Sequence, residues 1–87
     1  MYVVIVYDIG VERVNKVRTL LKEFLMWRQN SVFEGELTNS EYEKIKIGLK
    51  EIMDPKEDNI IIYKFRDKKY IHVDEFGTSK SDLNNII

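Results

Sequence analysis

Hydrophobic positions fall along this chain in two alternating rhythms. Tyr2-Val3-Val4-Ile5-Val6-Tyr7 is an unbroken β-branched and aromatic run, the pattern of a central strand covered on at least one face. Asp8-Ile9-Gly10 ends it. Val14, Val17, Leu21 and Phe24 then recur every three or four residues, which predicts an amphipathic helix from about Val11 to Leu25. Trp27 to Leu37 mixes polar residues with β-formers and reads as a short or kinked hairpin, with Gly35 as a possible bulge. Thr38-x-x-Glu41 has the form of a capping box, and Ser40 to Glu43 offers a second register. Behind it Tyr42, Ile45, Leu49 and Ile52 share one helical face, and Asp54-Pro55 stops the helix. Asn59 to Phe65 is a further strand centred on Ile60-Ile61-Ile62-Tyr63. Tyr70 to Phe76 alternates well enough for a last one.

This order predicts an α+β fold, a ferredoxin-like βαββαβ sandwich with an extra C-terminal strand, in which two helices cover one face of a mostly antiparallel sheet. The other face must meet solvent or a partner. Residues 1–87 make a single domain, with 77–87 a polar C-terminal tail. A chain this short buries only about 60–65% of its unfolded surface, so pairing with a second copy is expected on size alone.

Composition narrows the chemistry. There is no cysteine, which excludes a disulfide scaffold, a thiolate zinc site and a cysteine nucleophile. The single histidine, His72, excludes a three-histidine zinc site and leaves Ser31 without a convincing triad base. Gly10 stands alone, with no glycine-rich nucleotide loop around it. The first apolar run is too short to span a bilayer and no basic leader precedes it, so a cytoplasmic protein with no membrane association is expected. A net charge of −1 means that nucleic-acid binding would have to come from local patches.

Asp8 is the foremost candidate for chemistry, because it closes a rigid strand where the chain turns into a helix. Two readings stand: a helix cap, or a catalytic or metal-ligating carboxylate. Magnesium is usually held by one or two carboxylates, with water and substrate phosphate completing its shell. Glu12 is the only other acid near Asp8 in sequence, so a second copy bringing a second Asp8 would supply the missing ligand. Arg13 and Lys16 share a face of the first helix, as phosphate contacts or as a solvated face. Lys64-Phe65-Arg66-Asp67-Lys68-Lys69 is the densest basic run, and on its own it also reads as a charged turn.

Tyr2-Val3-Val4-Ile5-Val6-Tyr7-Asp8-Ile9, the basic amphipathic helix, and Gln29-Asn30-Ser31-Val32-Phe33-Glu34-Gly35-Glu36-Leu37 together resemble the small CRISPR-associated endoribonuclease family, over roughly residues 1 to 66. That resemblance implies a ferredoxin-like homodimer acting in CRISPR spacer acquisition and antiviral defence beside the CRISPR integrase. It implies magnesium-dependent endonuclease activity on single-stranded RNA or double-stranded DNA. It implies Asp8 as the metal ligand, Asp8 and Tyr7 as catalytic residues with Tyr7 flanking the metal site, and Phe33 packed near it. Arg13, Lys16, Arg28 and Arg66 would be the nucleic-acid contacts. Many members carry an arginine two residues before the Gln, where this chain has Trp27 with Arg28 beside it. The alternative is a non-catalytic dimeric adaptor that holds spacer DNA for the integrase.

Overall fold

The computed structural model describes residues 1–80. Its elements run β1 (Tyr2–Asp8), α1 (Val11–Lys22), β2 (Met26–Gln29), β3 (Val32–Glu36), α2 (Asn39–Ile52) and β4 (Asn59–Phe65), then a single 3-10 turn at Lys68–Tyr70. The strands form one sheet in the order β2-β3-β1-β4, with every neighbouring pair antiparallel. This is the expected ferredoxin-like arrangement, with the most apolar strand, β1, at the centre.

Strand periodicity assigns the two faces. Val3, Ile5 and Tyr7 of β1 join Phe33 of β3 and the buried helix residues Val17, Leu21, Ile45 and Leu49 in one core. Phe33 lies opposite Ile5 on one side and Trp27 on the other, so its ring sits at the middle of the sheet under both helices. On the opposite face Met26, Ile61 and Tyr63 are exposed, with Val4 and Val6 half-buried beside them. That face carries no helix, and Glu34 and Glu36 share it with these apolar residues.

Local sequence accounts for the element ends. Thr38 accepts a hydrogen bond from the Glu41 amide and the Glu41 carboxylate accepts one from the Thr38 amide, so the first capping-box register starts α2. The helix stops at Ile52, ahead of Pro55. α1 ends at Lys22, short of the predicted Leu25; Glu23 and Phe24 form a turn that carries Leu25 into the core. Asn30, at φ 37°, makes the tight β2–β3 turn, a backbone conformation that Asn tolerates better than most residues.

Two expectations are corrected. The hairpin irregularity lies between Trp27 and Gln29, not at Gly35. Gly35 serves close packing instead: a Cβ there would come within 3.0 Å of the Leu25 side chain. The extra C-terminal strand over Tyr70 to Phe76 does not form. Tyr70 closes the 3-10 turn and the residues after it join no ladder among the described residues. An alternating pattern selects the faces of a strand but supplies no edge to pair with. Glu75 is instead tied by an ion pair to Arg28, at 2.7 Å. Of the 77–87 tail, residues 81–87 lie outside the described residues. No helix among the described residues is long and apolar enough to cross a membrane.

Candidate active site

Asp8 is the last residue of β1, in register with Asn59 at the start of β4. It is exposed and has no hydrogen-bond or ion-pair partner among the described residues. The cap reading of Asp8 is therefore not realised. α1 is capped by Gly10, with no side-chain cap bond. By strand alternation Asp8 emerges on the face that carries no helix, at the end of the sheet where β1 passes into α1.

A carboxylate distant in sequence takes the cap's place. Asp58 accepts hydrogen bonds from the Gly10 amide (2.8 Å) and the Asp54 amide (2.8 Å). It also accepts from Nε (2.6 Å) and Nη2 (2.9 Å) of Arg13. Its side chain is 0% exposed. The hydrogen-bonded Arg13 guanidinium and, after it, the two amides hold the carboxyl well below the usual carboxylate range, against the opposing pull of desolvation. Sequence reading passed over Asp58, since its partners lie 45 and 48 residues away. The only local signal was its place in an Asp-rich turn ahead of a strand.

The sequence-derived site residues separate into three groups. Tyr7 lies on the core face, 4% exposed, with its ring stacked on Phe33 at a centroid distance of 6.1 Å. Burial pushes its hydroxyl pKa up. Tyr7 thus does not share a surface with the Asp8 carboxylate, because consecutive strand residues face opposite ways. Phe33 packs beneath Tyr7 as a core residue.

The second group is the arginines already matched by acids. Arg13 binds Asp58, Glu57 (3.1 Å) and Glu12 (3.0 Å). Glu12 therefore faces Arg13 and does not form a pair with Asp8. Arg28 binds the buried Glu34 at 2.7 Å and Glu75 at 2.7 Å. Glu34 also accepts the Tyr2 hydroxyl at 2.9 Å. Arg28 and Glu34 line a cavity of about 200 Å³ with Gln29, Val32 and residues 73–75. Neither arginine stands as a free cation facing solvent.

The third group is exposed and basic. Lys16 has no ion-pair partner among the described residues. Arg66 and Lys69 sit over the Tyr70 ring at 5.5 and 5.3 Å, and Lys68 is exposed on the same turn. These side chains remain available to phosphate.

No group of three or more His, Asp or Glu side chains that could hold a metal exists among the described residues. Along β1 and the turn into α1, residues 2–12, Asp8 is the carboxylate without a side-chain partner among the described residues, since Glu12 is paired with Arg13. That suits a divalent cation that keeps most of its waters and takes its remaining ligands from substrate or from a second copy.

Comparison with known proteins places this geometry. Residues 1–73 match the family model for CRISPR associated protein Cas2. The chain is 60% identical to the CRISPR-associated endoribonuclease Cas2 of Methanosarcina acetivorans and 52% identical to that of Pyrococcus furiosus, with all of both chains covered in each case. A crystal structure of a Cas2 matches with a TM-score of 0.83 at 47% identity, over 93% of this chain and 91% of that one. Streptococcus pyogenes Cas2, solved at pH 6.5, matches with a TM-score of 0.77 at 32% identity, over 88% of this chain and all of that one. A full-length match at this level, on the same fold, means that the chain belongs to the CRISPR-associated Cas2 family.

Proposed function

We propose that this chain is a magnesium-dependent endonuclease, a phosphodiesterase acting on single-stranded RNA or double-stranded DNA. It works as a homodimer beside the CRISPR integrase in spacer acquisition. The carrying observation is Asp8, an exposed, unpaired carboxylate at the rigid end of the central strand. The endoribonuclease names of the full-length relatives support the same reaction class.

The sheet supports the dimer. Met26, Ile61 and Tyr63 are exposed apolar side chains on the face without a helix, and Asp8 emerges on that face. Packing two such faces about a two-fold axis buries apolar area and brings two copies of Asp8 to one interface. Asp8 would then hold magnesium jointly with the Asp8 of the second copy. The bound ion supplies Lewis-acid polarisation of the scissile phosphate and acidifies its water. Lys16 and Arg66 would position the backbone from outside the apolar contact. Arg13 is assigned to the scaffold and Tyr7 to the core.

The direct test incubates purified protein with labelled RNA and DNA, in magnesium or in chelator. Wild type should cut only with magnesium, and Asp8→Ala should leave the substrate intact. Equal cleavage by Asp8→Ala would reject the assignment.

One observation favours a second reading, the non-catalytic adaptor. Arg66, Lys68 and Lys69 gather on one exposed turn beside Tyr70. Such a patch binds phosphate without needing Asp8. Affinity for a duplex should fall by about tenfold or more between low and moderate salt, and removal of these three cations should weaken that dependence. Salt-insensitive binding would reject the adaptor.

A further inference from the structure

The groups around Asp58 converge on one stretch of backbone, the turn that presents Asp8. Asp58 takes the Gly10 amide with one carboxylate oxygen and the Asp54 amide with the other. It thereby bridges the start of α1 to the loop before β4. The next residue, Asn59, pairs with Asp8 in the sheet. On the other side of β1, the Tyr7 amide donates to the Ser31 carbonyl at 3.1 Å. The Asp8 backbone is thus held from β4, its neighbour Tyr7 from the β2–β3 turn, and the following Gly10 from the α1 side.

Arg13 completes the arrangement. Its guanidinium donates Nε and Nη2 to Asp58 while folding across Gly10. A Cβ on Gly10 would lie 2.5 Å from Arg13 Nη2 and 3.0 Å from Glu12 Oε1. Gly10 has φ −54°, a value open to any residue, so the glycine serves the close approach and not the backbone angle.

We propose that Asp58 and Arg13 are positioning residues for the phosphodiesterase reaction, forming a clamp that fixes the Asp8–Gly10 turn and so the place from which the Asp8 carboxylate acts. The inference rests on the Asp8 reading above. It gives Arg13 a role opposite to phosphate binding: loss of Arg13 should lower turnover and leave substrate affinity alone.

The experiment compares Asp58→Asn, Arg13→Gln and Gly10→Ala in the full chain, with Asp8→Ala as reference. Two readouts are taken: cleavage over a range of substrate concentration, and hydrogen exchange of the Gly10 amide. Asp58→Asn keeps the shape of the side chain and serves where Asp58→Ala fails to fold. The clamp predicts a kcat reduced by about ten- to a hundredfold, the scale of a displacement near 1 Å. It predicts a KM within about twofold of wild type, the mark of an interaction that acts only in the transition state. Exchange of the position-10 amide should accelerate in all three variants, and Arg13→Lys should recover part of the rate. A KM raised by Arg13→Gln at unchanged kcat would overturn the inference in favour of phosphate contact. So would unchanged Gly10 exchange in Asp58→Asn. If wild type shows no Asp8-dependent cleavage, the Asp8 reading fails, and the exchange readout alone decides whether the clamp exists.

Discussion

Phe33→Ala is the most demanding perturbation of the fold. Phe33 has no exposed surface, stacks on Tyr7 and lies between Ile5 and Trp27 across the sheet. Truncating a fully buried Phe costs about 3–5 kcal/mol, from lost transfer energy and the cavity left behind. The Tyr7 ring loses its partner, and such pairs contribute about 0.5–1.5 kcal/mol beyond area, already within that total. At about 0.05–0.15 kcal/mol per residue, a chain of this length has roughly 4–13 kcal/mol of stability to lose. Phe33→Ala should therefore remove about a quarter of it at least. Urea unfolding followed by circular dichroism is the assay. With a slope of about 1–2 kcal/mol/M, the midpoint should fall by about 1.5 M or more, or the folded baseline should vanish. Phe33→Leu should lose less and keep nuclease activity, because Phe33 touches the core and not the surface where Asp8 emerges. A midpoint within about 0.3 M of wild type for Phe33→Ala would refute the packing account.

Three further outcomes follow. Thr38→Ala removes the capping box of α2 and should cost about 0.5–2 kcal/mol, read as a lowered urea midpoint without change of slope. Tyr2 has its pKa pushed up to about 12 by burial, and next by its hydrogen bond to Glu34. The unfolded chain loses the Tyr2 proton first, so stability should decline from about pH 10 upward, and Tyr2→Phe should flatten that decline in thermal melts. Asp58 behaves in the opposite sense. Its carboxyl is held below its ordinary value, so its contribution is complete above about pH 4 and is lost as pH falls further; Asp58→Asn should remove that acid dependence.

The fold was legible because its signals are local. Tyr2–Tyr7 announces a central strand, Thr38-x-x-Glu41 a helix start and Pro55 a helix end, each within a few residues. Asp8 was legible by the same means, as the residue where an apolar strand stops. The Asp58 clamp was not, because it joins residues nearly fifty positions apart that only folding brings together. Arg13 and Arg28 looked like free cations for the same reason: the acids that match them, Asp58, Glu57 and Glu75 among them, come from elsewhere in the chain. The family resemblance placed Tyr7 beside Asp8, although strand geometry turns neighbours to opposite faces. The C-terminal segment from Tyr70 to Phe76 carried a strand pattern yet pairs with neither edge of the sheet, β2 nor β4, and pattern alone does not reveal that.

The central claim is that the nuclease site needs Asp8 from two copies of the chain. Mixing settles it: wild type and Asp8→Ala are unfolded together, refolded at fixed total concentration in varying proportion, and assayed with magnesium. A shared site predicts activity that falls with the square of the wild-type fraction, because only wild-type pairs carry both carboxylates. Activity falling in direct proportion to the wild-type fraction would show that each chain cuts with its own Asp8, and would contradict the account.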